Sequence, residues 1–448
     1  TPDFRTINNF RSLHLKGTIN QLFTQVVLML VEMGYISLQT VYIDGTKMES
    51  RANRYTFVWR KTVEKNKAKL EEKIRKILEM IDEGIAQDNL PDDEPPTPID
   101  ADELKKRIAQ INRENLSKEE KKAVKTLEEK HLPKLQEYEN HLEVLGERNS
   151  YSKTDKSATF MRMKDDHMQN GQLKPAYNLQ ISTENQFLTH FDFFANPTDT
   201  LTMIPFFEGW HQRYSRTPKT AVADAGFGSE ENYGFMEDND IEAYVKYNYF
   251  HAEQKKNFRE NGFISQNLFY NAPDDYFVCP MGQHLQNKGR STKTNQHGYM
   301  SEITIYEAAN CNGCQLRCLC HKAKGNRRIE INHNLLRLKA KARELLLSDQ
   351  GLKYRKKRCV EPEPVFSHIR YDGAYLRFRH FGQDKVEIDF ALLAIALNLS
   401  KLARKKAKAG KNLKNKPEMQ HYFVSVKVLM LKNKNQSIKE GTFTKIAA

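Results

Sequence analysis

The chain has 448 residues, 39% of them hydrophobic and 29% charged, and a formal net charge of +14. That length bounds it at two or three domains with a large core and excludes a single minimal module. The positive excess favours a polyanionic partner such as nucleic acid, because clustered lysines and arginines gain affinity by releasing counterions from phosphates.

The first elements are helical. Phe10, Leu13, Leu15, Ile19, Leu22 and Phe23 recur at helical spacing. The most apolar run, QLFTQVVLMLVEMGYI (Gln21 to Ile36), is interrupted by Gln25 and Glu32. It falls short of the roughly 18 to 20 residues a membrane span needs and reads as a buried amphipathic helix. No signal-peptide pattern precedes it. Because the sequence opens inside helical pattern, residues 1–38 are expected to be the end of a DNA-binding region.

VYIDGTKM and RYTFVWR then read as a hairpin within residues 39–60. Asp44 ends the apolar run and Gly45 follows it. The pair is either an Asp-Gly turn or a carboxylate displayed at a strand end to hold a metal, with Gly45 letting a phosphate backbone approach closely.

Residues 61–146 change character. Two charged stretches with apolar residues three or four apart flank DNLPDDEPPTPID (Asp88 to Asp100), whose prolines preclude helix. Two antiparallel helices, a coiled-coil arm joined by an acidic loop, are expected.

Globular pattern resumes over 147–250. KPAYNLQISTENQFLTHFDFF reads as two strands turning between Ser182 and Gln186, and TDTLTMIPFFEGWHQRYS as a helix opened by a Thr or Asp cap. TAVADAGFGSEENYGFMEDNDIEAYVKYN reads strand, loop, helix, strand, a βαβ unit that implies a partly parallel sheet. Asp224 repeats the situation of Asp44 there: an apolar strand ends in an aspartate followed by small residues. Two such carboxylates suit Mg²⁺, which prefers hard oxygen ligands.

Residues 251–345 read as an irregular, cysteine-rich insertion too long for a simple loop. Four of the six cysteines crowd into CNGCQLRCLC (Cys311 to Cys320), and FVCPMGQHL supplies Cys279. In a protein of this size such density points to metal rather than to disulfides. Cys279, Cys311, Cys314 and Cys320 make a tetrahedral thiolate set for structural Zn²⁺, with Cys318, His284 and His321 as substitutes.

Over 346–410 the chain reads as helical around a third acidic site. In KYRKKRCVEPEPVFSHIRYDGAYLRFRHFG, Glu361 and Glu363 each precede a proline, which is tolerated at a helix's first turn. A helix is expected to start near Glu363 and to carry Arg370 on the same face two turns later. Lys353, Arg355, Lys356, Lys357 and Arg358 lie before these acids, with Arg377 and Arg379 after them. Acids inside a basic patch make sense if the acids hold metal and the bases grip DNA. Residues 411–448 form a basic tail.

The chain resembles bacterial insertion-sequence transposases of the DDE, ribonuclease-H-like type, and more narrowly the insertion-sequence family eleven-eighty-two. IDGTK with RYTFVWRK, ADAGFGSEENY, EPVF with a closing basic residue, NPTDTLTMIPF and KVEID…LLAIALNLSKL carry the resemblance, in order, from Phe4 onward. It implies an α/β fold, a mixed ribonuclease-H-like sheet with flanking helices, interrupted by the arm and the insertion. Asp44, Asp224 and Glu363 are implied as the catalytic triad, holding two Mg²⁺ (or Mn²⁺) ions, with Glu361 the alternative third acid. Lys47, Tyr354, Arg358, Arg370, Arg377 and Arg379 are implied as supporting, DNA-binding residues, although Tyr354 and Arg358 stand one or two residues off the family's spacing to Glu363. The resemblance also supports the zinc set, since members of the family often show CP…C-x-x-C…C in this insertion. The partners implied are double-stranded DNA, at element ends and target, and a second copy in a homodimer. The setting implied is cytoplasmic and nucleoid-associated, without membrane. A metal-dependent nuclease that cuts without joining and an inactive DNA-binding relative are the competing expectations.

Overall fold

A computed structural model describes residues 2–85, 99–111, 116–163, 171–295 and 298–409. The chain starts with α1 (Phe4–Asn9) and α2 (Ile19–Glu32), which buries Ile19, Phe23, Val27 and Leu30 along one face. β1 (Thr40–Glu49) and β2 (Phe57–Trp59) follow. They do not form the expected hairpin. Both edges of β1 are already taken, so β2 pairs instead with β3 (Ser150–Ser152).

Between these strands lie α3 (Arg60–Ile85), α4 (Ala101–Gln110), α5 (Lys118–Thr126) and α6 (Leu132–Leu145). They bury Leu70, Ile74, Leu78, Leu104, Ile108, Val124, Leu127 and Leu135 in an apolar cluster of their own. The second charged stretch is therefore not one helix. Ser117 and Glu120 form a reciprocal capping box that starts α5 afresh. Pro133, at the head of α6, cannot donate to the preceding turn, and a π-helical turn (Leu127–His131) occupies that place. Most of the acidic proline-rich loop lies outside the described residues.

β4 (Thr159–Arg162), β5 (Leu173–Glu184) and β6 (Phe187–Phe194) come next. β5 and β6 turn through Asn185 and Gln186, both at positive φ, as a tight antiparallel hairpin requires. Then follow α7 (Met203–Tyr214), β7 (Thr220–Ala223), α8 (Glu230–Asp238) and β8 (Glu242–Val245). No side-chain cap opens α7, and the Asp199 carboxylate instead accepts from Asn178 and Gln180. The main sheet runs β4-β5-β1-β7-β8, with β6 also on β5; β1 is antiparallel to β5 and parallel to β7, which is parallel to β8. β5 is buried from Pro175 to Glu184, as a strand covered on both faces must be.

The insertion carries α9 (Lys256–Arg259), then β9 (Phe269–Asn271), β10 (Tyr276–Val278), β11 (His284–Thr294), β12 (Met300–Ala308), α10 (Arg317–Cys320) and β13 (Arg328–Ile331). Its five strands form an antiparallel sheet over Leu268, Phe277, Leu285, Tyr306, Ile329 and Ile331, where the sequence suggested irregular chain. β11 buries only Leu285, so it lacks the alternation that marks a strand. Glu230, at the head of α8, accepts from Ser301, Asn332 and Asn334 and fastens this sheet to the main one.

The chain closes with α11 (His333–Leu347), α12 (Asp349–Arg358), α13 (Pro362–Ser367) and α14 (Gln383–Ala409). Residues of α2, α7, α8, α11, α13 and α14 join the sheet in one large core. Each Phe or Leu fully buried there contributes about 1.5–3 kcal/mol. Among the described residues no helix is long and apolar enough to cross a membrane. The basic tail lies outside them.

Candidate active site

The parallel register of β1 and β7 pairs Thr40 with Thr220, Val41 with Ala221 and Tyr42 with Val222. Carried two residues further, it sets Asp44 level with Asp224, the residue just after β7. Sequence separation is erased because adjacent strands stand only about 4.8 Å apart. Asp224 caps a short 3-10 turn, its Oδ1 accepting from the Gly226 amide at 2.9 Å. Asp44 Oδ1 accepts from the Gly45 amide at 3.0 Å.

Arg358, the last residue of α12, bridges the two carboxylates. Its Nη2 lies 3.2 Å from Asp44 Oδ1 and 3.3 Å from Asp224 Oδ2. The side chains of Arg358 and Asp44 are 11% and 15% exposed, and that of Asp224 is 40% exposed. The site thus already accommodates a cation between two hard oxygens from neighbouring strands. That donor chemistry fits Mg²⁺, which one or two carboxylates hold together with water and phosphate.

Pro362 and Pro364 sit in the first turn of α13, which begins where the prolines predict, with Glu363 inside that turn. Glu363 is exposed. Glu361 is 2% exposed; it accepts from the Gln186 amide at 2.7 Å and pairs with Lys357 at 3.4 Å. Neither joins Asp44 and Asp224, and among the described residues no group of three His, Cys, Asp or Glu side chains is set to hold a metal.

The basic residues divide by role. Arg370 reaches from α13's π-helical continuation to Thr46 Oγ1 and the Lys47 carbonyl on β1. Lys47 is half-buried beside it. Tyr354 packs its ring on Tyr42 and Tyr244, at centroid distances of 6.3 and 4.8 Å, and so belongs to the core. Arg377 donates to the Ser50 and Ala52 carbonyls, bracing the end of β1, and Arg379 is exposed with its carbonyl bound by Arg51.

Lys246, just past β8, was missed in the sequence. Burial, with Arg358 and Arg355 nearby, lowers its pKa, while Asp224 acts the other way. The signal was faint, a lysine closing a strand parallel to that of Asp224. Gly45 differs from its expected role as well. Its missing Cβ leaves room for the buried Gln180 side chain rather than for a ligand.

In the insertion, Cys279, Cys311, Cys314 and Cys320 line one cavity together with His321 and Arg327. Gly282 and Gly313, at φ of 78° and 70°, shape the turns after Cys279 and Cys311. The Arg327 amide donates to Cys311 Sγ at 3.3 Å, and its Nη1 donates to Cys320 Sγ at 3.0 Å. Both His321 ring nitrogens are buried without a hydrogen-bond partner. Cys318 and Cys359 are exposed, and His284 stacks on Tyr276.

A family model described as a transposase DDE domain matches residues 278–403. That span holds the cysteine cavity, Arg358, Glu361, Glu363 and Arg370, and it stops short of Asp44 and Asp224. No curated protein matches the chain, and no solved structure does.

Proposed function

We propose that the chain is a DDE transposase of the insertion-sequence type, with a ribonuclease-H-like catalytic domain, that cuts its element's DNA ends and joins them to target DNA. One observation carries the reading: Asp44 on β1 and Asp224 just past the end of the adjacent parallel β7 both contact one guanidinium nitrogen of Arg358. The match of residues 278–403 to a transposase DDE domain supports it.

Glu363 is the third acid in this reading. It is exposed, in the first turn of a helix whose π-helical continuation carries Arg370 to Thr46 on β1, whereas Glu361 is committed to Gln186 and Lys357. Mg²⁺ or Mn²⁺ at these carboxylates would supply Lewis acidity and an activated hydroxyl for in-line displacement at phosphorus. The chain's own part is to fix the carboxylates on β1, just past β7 and in the first turn of α13, and to hold the scissile phosphate among Lys246, Arg370 and the last turn of α12. Water as attacking group gives cleavage, and a DNA 3′-hydroxyl gives joining. Double-stranded DNA is the partner, and pairing two ends calls for a homodimer. A Zn²⁺ ion on Cys279, Cys311, Cys314 and Cys320 is the structural metal of this reading.

The test is labelled element-end duplex incubated with wild type or Asp224→Asn, in Mg²⁺ or EDTA. Metal-dependent nicks and joined products, absent in the mutant, are expected. Nicks without joining would leave a nuclease, and binding without any cleavage would leave a non-catalytic DNA-binding protein.

A further inference from the structure

Arg358 stands where an ion shared by the two aspartates would stand. A single nitrogen contacts one oxygen from each carboxylate, at 3.2 and 3.3 Å. The guanidinium is not at home there in every respect, since its Nε is buried without a hydrogen-bond partner, a costly arrangement for a donor. Further positive charge stands close by: Lys246, after β8, has its pKa lowered by burial first and then by Arg358 and Arg355 of α12. A divalent ion added while Arg358 stays in place would put still more positive charge against the same two carboxylates. The two cations therefore exclude one another.

Arg358 is also placed to leave. It is the final residue of α12, and only Cys359, Val360 and Glu361 separate it from α13. The linker is anchored on its far side, where Gln186 holds Glu361 and Val360, so the arginine side chain can turn while α13 stays. A DNA phosphate arriving at the open side of Asp224 offers the guanidinium an anion of matching fork geometry.

We propose that Arg358 is a tethered counter-cation that keeps Asp44 and Asp224 together in the DNA-free chain and gives way to metal when DNA phosphate draws it off. DNA binding and metal loading are thereby coupled, and the site stays closed to free metal until DNA is present. The proposal rests on the reading that Asp44 and Asp224 hold metal.

Mn²⁺ binding to the full chain, followed by the spin resonance of the free ion, tests it without any turnover. Wild type should bind Mn²⁺ weakly alone and about tenfold more tightly with a linear DNA duplex, a coupling of about 1.4 kcal/mol. Arg358→Gln should bind tightly with or without the duplex. Its melting temperature should fall in EDTA and recover in Mg²⁺, which distinguishes lost charge balance from misfolding. Equal Mn²⁺ affinities for wild type and Arg358→Gln, with Asp224→Asn weaker than both, would overturn the proposal and leave the metal site standing. Mn²⁺ binding indifferent to Asp224→Asn would overturn the metal reading as well.

Discussion

Gln180 lies across Gly45, so close that a Cβ built on the glycine would stand 2.2 Å from the amide Nε2. Gln180 is fully buried and its Nε2 is tied to Asp199 at 2.7 Å, so the side chain has little room to yield. Gly45→Ala should therefore overpack the strand that carries Asp44 and cost about 1–3 kcal/mol. Gly234, inside α8 with open space around it, is the control: alanine there should stabilise by up to about 1 kcal/mol. Thermal unfolding of both variants checks the pair, and a Gly45→Ala melt equal to wild type would mean that Gln180 repacks.

Glycine at position 45 shows where the sequence was legible and where it was not. An apolar run ending in Asp-Gly is a local pattern, and it suggests a strand that stops at Asp44; the structure instead carries β1 on through Asp44 and Gly45 to Glu49, because β5 continues to pair with it. The neighbour that needs the glycine is Gln180, more than a hundred residues away, and nothing local announces it. The same division runs through the molecule. The β5–β6 turn, the βαβ unit with Asp224 and the proline-started α13 are local and were readable. The pairing partners of β1, the exposed β11 and the bridge from Arg358 to two aspartates depend on tertiary register, which one sequence does not print.

The two glutamates should separate by substitution. Glu361→Gln removes a buried charge from Lys357 and weakens the acceptor of the Gln186 amide, so it should destabilise by about 1–3 kcal/mol. Glu363→Gln is exposed and should leave the melt unchanged while cutting DNA cleavage by about 10²-fold or more, the scale of a lost transition-state charge contact. Paired melting curves and single-turnover cleavage decide. The reverse pattern would make Glu361 the third acid.

Two titratable residues of β6, His190 and Asp192, shape the pH dependence of stability in opposite senses. Burial raises Asp192 from 3.8 to about 6, so the folded state holds its proton where the unfolded chain has lost it. Its contribution is present at low pH and disappears as pH rises from about 3.8 through about 6. His190, fully buried beside Arg213, is pushed the other way and stays neutral in the fold; its contribution is lost as pH falls below 6.5. The two oppose each other between pH 4 and 6.5 and flatten the profile. Asp192→Asn removes the first, so at pH 7 it should gain about 1–3 kcal/mol, and its stability should climb more steeply with pH up to about 6.5. Urea midpoints for wild type and variant across that range measure both, and parallel profiles would refute the Asp192 assignment.

The cysteine cavity yields the last prediction. Two glycine turns at left-handed φ follow Cys279 and Cys311, and both cysteines line one cavity with Cys314 and Cys320, although no three of these side chains are yet drawn together as ligands. Two of the sulfurs, on Cys311 and Cys320, already accept N–H bonds from Arg327. Protein purified without chelator should carry about one Zn²⁺ per chain, the count of a closed thiolate site. Stripping the zinc should lower the melt of the insertion, because binding energy at such a site is folding energy. Cys311→Ser and Cys314→Ser should abolish zinc binding, while Cys318→Ser and Cys359→Ser, on exposed cysteines, should keep it. His321→Ala separates two ligand sets: retained zinc with cobalt spectra of four sulfurs fixes Cys320 as the fourth ligand, and lost zinc transfers that place to His321, whose two ring nitrogens stand unpartnered. Elemental analysis showing no zinc, with all six thiols free to titrate, would leave the cavity as apolar packing around Arg327.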